Sequence, residues 1–147
     1  DHIRVYDSTG KEIFKDGKPS GGLPKYFELP NAGIRGMENH AYYPMRILIY
    51  DINKDGKNDV ITANNYRLSQ ILSVRIFTHG EVEIHSWDGI GLPVLWRTHD
   101  LSGYFSDVFI GDFDNDGKDE LVASLVIKTG AVVTTTPKSV LIAYELE

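Results

Sequence analysis

The chain has 147 residues, enough for one hydrophobic core and too few for two ordinary domains. Its 41% hydrophobic and 24% charged residues are those of a globular chain, no run approaches the ~20 apolar residues of a membrane-spanning helix, and the lack of cysteine excludes disulfides, zinc–thiolate or iron–sulfur sites and a catalytic thiol. A net charge of −6 argues against nucleic acid or an anionic membrane as partner, since both recruit basic patches.

In chain order, short segments rich in Val, Ile, Leu and aromatics predict strands at Ile3–Tyr6, Arg46–Tyr50, Val60–Ala63, Ser73–Phe77, Val82–Trp87, Val94–Arg97, Val108–Ile110, Leu121–Ile127 and Val140–Leu146. Turn residues bound most of them, and no stretch holds a capped helical period for three turns. The expected fold class is all-β. Lys15–Pro44 interrupts the pattern with four of the six prolines and the Gly21-Gly22 pair. It reads as a long loop, either a tolerated surface insertion or a recognition loop. The chain starts at Asp1 without an initiator Met or a signal sequence, so it is expected to be a processed or excised piece.

The sequence also repeats. Asp51-Ile-Asn-Lys-Asp-Gly-Lys57 matches Asp112-Phe-Asp-Asn-Asp-Gly-Lys118 at a spacing of 61, with apolar strands on both sides of each copy. Ile3-Arg-Val-Tyr6 resembles Val74-Arg-Ile-Phe77 at a spacing of 71, each leading toward a glycine turn at Gly10 or Gly80. Val140–Tyr144 reads as a third copy of that strand. Gly-Leu-Pro recurs at 22–24 and 91–93. The drifting offsets suit equivalent sheets joined by unequal loops, and four strands per unit suggest β-propeller blades. On that basis residues 1–14 end a preceding blade, 15–44 form the long loop, 45–98 make a complete four-stranded blade, and 104–147 make most of another. The whole is a single repeat domain of about two and a half antiparallel blades, a fragment of a larger propeller.

The acidity is concentrated. Asp51, Asp55, Asp59, Asp112, Asp114, Asp116 and Glu120 lie in two nine-residue windows, and with these seven set aside the chain has 14 acids against 15 bases. Both windows have the chemistry of a calcium site, since Ca²⁺ takes six to eight oxygens at ~2.3–2.6 Å with loose angular demands. The candidate ligands are Asp51, Asn53, Asp55, the Lys57 carbonyl and Asp59 in the first loop. In the second they are Asp112, Asp114, Asp116, the Lys118 carbonyl and Glu120. Gly56 and Gly117 supply the sharp turn, with positive φ expected. Mg²⁺ fits less well because it demands near-ideal octahedral geometry, and transition metals would favour imidazole or sulfur. An EF-hand needs a bidentate Glu at position 12 and flanking helices, whereas position 12 is Thr62 or Ala123 and the flanks are strands.

The pattern of apolar strand, Asp-x-Asp/Asn-x-Asp-Gly-Lys-x-Asp/Glu and apolar strand resembles the FG-GAP or VCBS repeat, the calcium-loop blade of integrin α-subunit propellers and of bacterial secreted and surface proteins. The resemblance covers about residues 43–147. It implies that the loop joins the first two strands of a blade and that these ten positions ligate two Ca²⁺ ions. Glu120 stands where Asp is commonest, and Phe109-Ile110-Gly111 is the nearest approach to the Phe-Gly word. The implied protein is an extracellular, cell-surface or periplasmic scaffold for binding, adhesion or assembly. Its partner would be a protein or carbohydrate ligand, and it would pack on further blades or other chains.

Little else suggests chemistry. His2, His40, His79, His85 and His99 have no metal spacing and read as surface or turn residues. Ser86, His85 and Asp88 cannot form a triad as strand neighbours, because these alternate faces. No nucleophile elbow or phosphate-binding glycine loop is present. Trp87, Trp96 and most of the Tyr and Phe read as filling between blades, with Tyr42, Tyr43 and Tyr66 the better candidates for exposed contact. The expectation is therefore no enzyme. The alternatives are a propeller-based enzyme acting on polysaccharide, with its active site outside this segment, and a purely structural subunit.

Overall fold

The computed structural model describes residues 2–29, 40–69, 75–127 and 138–146. Twelve strands form four antiparallel sheets, and no helix occurs among the described residues. The chain is all-β, as the apolar alternation predicts.

Strands β1 (Arg4–Tyr6) and β2 (Glu12–Lys15) form a hairpin. Asp7 closes its turn: Oδ1 accepts hydrogen bonds from the Thr9 amide, the Thr9 hydroxyl and the Lys11 amide at 2.8, 2.6 and 3.0 Å. β3 (Tyr26–Glu28) pairs with β4 (His40–Tyr42), so short strands lie within the predicted loop 15–44; its residues 30–39 fall outside the described set.

The larger sheet runs β5 (Ile47–Tyr50), β6 (Asp59–Arg67), β7 (Phe77–Ser86) and β8 (Val94–Arg97), with β9 (Leu101–Ser102) also on β7. A three-stranded sheet comes next, β10 (Tyr104–Gly111), β11 (Glu120–Ile127) and β12 (Lys138–Glu145). Their apolar faces meet. Ile61 and Ala63 of β6 and Val82 and Ile84 of β7 bury against Phe105 and Val108 of β10 and Leu121, Ala123 and Leu125 of β11. Fully burying side chains of this size contributes about 1.5–3 kcal/mol each. No sheet among the described residues closes into a barrel, and no ring of blades is formed.

The two sheets are also joined by a polar link. The buried Asn65 side chain donates to Phe105 O and Gly22 O at 2.9 and 2.7 Å and accepts from the Phe105 amide at 2.8 Å. Its amide group thus pairs with a peptide as another strand would. Beside it, Asn64 Oδ1 accepts from the Gly21 amide at 3.1 Å.

One predicted turn is corrected. Gly80 lies inside β7, paired with Asn65 and Leu101, so the strands expected at 73–77 and 82–87 are not separated by a turn. Gly80 is there because a Cβ would stand 2.7 Å from Asn65 Oδ1 and 2.9 Å from Asn64 O. By contrast Gly10 does sit in a turn, at φ +81°. The likeness between segments 3–6 and 74–77 is therefore not shared by the residues downstream of each. Ser73 and Val74 lie outside the described residues.

Candidate metal centre

Both acidic loops are built by the same local rules. Each connects two antiparallel strands, β5 to β6 and β10 to β11. Tyr50 pairs with Asp59 where the first loop leaves the sheet, and Gly111 pairs with Glu120 at the second. Position 9 of each loop is therefore the first residue of the returning strand.

Inside the loops the hydrogen bonds correspond one for one. The Asp55 amide donates to Asp51 Oδ1 and Asn53 Oδ1 at 3.0 and 3.1 Å; the Asp116 amide donates to Asp112 Oδ1 and Asp114 Oδ1 at the same two distances. The Gly56 and Gly117 amides donate to Oδ2 of Asp51 and Asp112 at 2.8 and 3.1 Å. The Lys57 and Lys118 amides donate to Oδ1 of Asp55 and Asp116 at 2.8 and 2.9 Å. Position 2 donates to position 9, Ile52 N to Asp59 Oδ2 at 3.3 Å and Phe113 N to Glu120 Oε2 at 2.6 Å.

The turn needs two left-handed residues per loop. Gly56 and Gly117 have φ of +86° and +90°, as expected from position 6. Lys54 and Asn115, at position 4, have φ of +57° and +65°. Nothing in the sequence marks this second strained position at Lys54, a residue type that seldom adopts that conformation.

Asp112, Asp114, Asp116 and Glu120 offer carboxylate oxygens that all lie within 4.8 Å of one another. Three are exposed, and Glu120 is buried against the sheet. These four residues can hold a metal ion. An all-oxygen donor set fits a hard cation. No other group of three or more such side chains is gathered so closely among the described residues, so Asp51, Asp55 and Asp59 do not repeat the cluster. In the first loop the Asn53 amide nitrogen instead donates to Asp55 Oδ2 at 3.3 Å. The Lys118 ammonium stands 3.8 Å from Asp116 Oδ2 on the exposed side.

The loops share one end of the molecule. Tyr50, the last residue before the first loop, donates from its hydroxyl to Asp119 Oδ2 of the second at 2.5 Å. That bond and the nearby charge raise the Tyr50 pKa above the usual phenol value.

A second polar group lies on the other face of β6 and β7, where the sequence showed no convergence. The Glu81 carboxylate accepts from the Tyr66 hydroxyl, and Glu83 Oε2 accepts from Asn64 Nδ2 at 2.7 Å. Arg97 Nη1 lies 3.9 Å from Glu81 and 3.7 Å from Glu83. Burial and Glu81 raise the Tyr66 pKa. His85, expected at the surface, is 3% exposed; Nδ1 faces Leu92 O at 3.1 Å and Nε2 lies 3.5 Å from Glu83. A strict period-2 reading of Glu81, Glu83 and His85 on one strand was the signal available, since it places all three on one face.

No family model, curated protein or solved structure matches the chain.

Proposed function

We propose that the chain is a calcium-stabilised scaffold built of FG-GAP-like propeller blades, acting outside the cytoplasm in binding or assembly. The observation that carries this reading is the bond-for-bond likeness of the two acidic loops, which would give Ca²⁺ two related sites. The ligands would be Asp51, Asn53, Asp55, the Lys57 carbonyl and Asp59, and Asp112, Asp114, Asp116, the Lys118 carbonyl and Glu120. The ion would neutralise carboxylates whose mutual repulsion costs up to ~4 kcal/mol per close pair at an effective dielectric of 20. The blade reading is supported by the meander β5–β8, which spans 47–97, and by its face-to-face packing on the second loop-bearing sheet. Trp96 against Tyr144, at 5.5 Å between ring centroids, also suits the expectation that aromatics fill the space between blades.

Calcium titration tests the metal reading. With a Kd of 10⁻⁵–10⁻⁴ M, ~1 mM Ca²⁺ adds about 1.4–2.7 kcal/mol per site. EDTA should lower Tm, and Ca²⁺ should restore it more effectively than Mg²⁺. A Tm indifferent to both would overturn the reading.

A polysaccharide-acting site within this segment is a second reading, distinct from the alternative whose active site lies outside it, and the observation that favours it is the convergence of Glu81, Glu83, His85 and Arg97 on one face of the larger sheet. Acidic polysaccharides incubated with the chain should yield no new reducing ends on the scaffold reading. Turnover lost in Glu83→Gln would replace it with the enzyme.

A further inference from the structure

The polar face of β6 and β7 is not closed by the sheet alone. Residues 16–22 lie against it, and together they line a cavity of about 300 Å³, at the small end of the range for ligand cavities (~300–1,000 Å³). This wall is tied to the sheet by its own bonds. The Gly21 amide donates to Asn64 Oδ1 at 3.1 Å, the Asn65 amide donates to Gly21 O at 3.3 Å, and Asn65 Nδ2 donates to Gly22 O at 2.7 Å. A site already formed in this way loses little free energy to ordering when a ligand enters.

Glu83 lines this cavity with acceptor capacity to spare. It is 7% exposed, and its one hydrogen bond among the described residues comes from Asn64 Nδ2 to Oε2 at 2.7 Å, whereas an ionised carboxylate has about four lone-pair sites. Oε1 lies 3.7 Å from Arg97 Nη1, too far for a hydrogen bond. Oε1 is nevertheless open. Among the described residues only Arg75 Nε is both sealed from solvent and unpaired, so the unpaired Oε1 of Glu83 keeps accessible surface. Asp16, on the same lining, accepts the Lys18 amide at Oδ1 at 3.0 Å, and its Oδ2 makes no hydrogen bond among the described residues. Acceptors held in such a place call for donors.

Charge and shape narrow the ligand. Lys18 and Arg67 line the cavity with Asp16 and Glu83, so its described lining carries two positive and two negative charges. That balance favours a neutral ligand whose groups both donate and accept, as hydroxyls do. Tyr66 adds an apolar wall. Its exposed ring lines the cavity, stacks on His79 with 4.8 Å between centroids, and is fixed at its tip by the bond to Glu81. A ring held this way suits the apolar C–H face of a saccharide. We infer that the cavity binds one pyranose ring of a neutral sugar: Glu83 and Asp16 accept from its hydroxyls, Lys18 and Arg67 donate to them, and Tyr66 covers its C–H face. The inference rests on the binding role proposed above and names its ligand class. It shares Glu83 with the second reading but requires no bond to break.

Amide NMR of the whole chain in calcium-containing buffer tests it. The probes are glucose, galactose, mannose and N-acetylglucosamine, each free and as its methyl pyranoside, with sodium glucuronate and glycerol as controls. At least one neutral sugar should move the Gly21, Gly22 and Asn64 resonances saturably, with a midpoint of about 1–10 mM for a single ring, and glycerol should not. An equal midpoint for its methyl pyranoside assigns a glycan unit, and loss of binding on methylation assigns the free sugar. Glu83→Gln should weaken the midpoint about tenfold. Asp16→Asn, which keeps an acceptor for the Lys18 amide, should hold Tm and weaken it about threefold, and this variant decides if Glu83→Gln does not fold. No saturation by any neutral sugar, saturation by glucuronate alone, or an unchanged midpoint in the deciding variant overturns the site. Such a failure beside a calcium-dependent Tm removes the sugar site and leaves the calcium scaffold; sugar binding beside a Tm indifferent to EDTA and Ca²⁺ does the reverse.

Discussion

The two acidic loops differ in ligand charge by one side chain, Asn53 against Asp114, and Lys54 adds a cation beside the first. Charge count is one lever on calcium affinity, so on the proposed reading the second loop binds more tightly. Calorimetry should show the high-affinity phase lost in Asp116→Ala and kept in Asp55→Ala; equal affinities would count against the charge argument. Gly80 permits a size prediction. Gly80→Ala places a Cβ within 3.0 Å of Asn65, Asn64 and Phe105, and overpacking of this kind costs about 1–3 kcal/mol, readable in urea unfolding. Asp88 permits one about pH. The Gly91 and Ile90 amides, donating at 2.7 and 2.8 Å, hold its carboxyl below the usual range. A lowered folded pKa contributes stability above the unfolded value of ~3.9 and loses it as pH falls through the folded value. Exchange of those two amides should therefore quicken only below about pH 4, and Asp88→Asn should flatten the profile.

At the scale of elements, strand positions were legible because apolar alternation reports burial, and the loops because Asp, Asn and Gly recur at fixed offsets. Thus Leu121–Ile127 is recovered as Glu120–Ile127, and Gly56 and Gly117 take the left-handed backbone anticipated for them. What could not be read was long-range polar pairing. Asn64 and Asn65 look like a turn that ends β6, yet they extend it, because their side chains find partners at 21–22, 83 and 105. β1 was expected within Ile3–Tyr6, whereas β2, β3 and β4 were missed because strands of three or four residues carry little apolar signal. Asn65→Ala should leave the Phe105 amide and two carbonyls unpaired and cost about 3 kcal/mol, whereas Asn53→Ala, exposed in its loop, should cost little without metal.

For the molecule as a whole, the outer strands carry unpaired apolar groups. Ile47 and Ile49 on β5 are 50% and 58% exposed, and Leu141 on β12 is 61% exposed. Edge strands with such faces invite pairing, as blades cut from a ring would. Sedimentation should show association rising with concentration and falling when Ile47 and Ile49 are both replaced by Lys; a compact monomer at every concentration would argue for a self-contained β-domain instead. The Asn65 link carries a further consequence, in time rather than in stability. Its partners lie 43 and 40 residues away in sequence, so both chain segments must be brought home before any of these bonds can form. Contacts that close loops of this length belong late on the folding path. Their loss then appears almost wholly in the escape rate from the native state. Stopped-flow kinetics of Asn65→Ala should show refolding at nearly the parent rate and unfolding roughly a hundredfold faster, which makes this one amide a setting for how long the folded chain lasts.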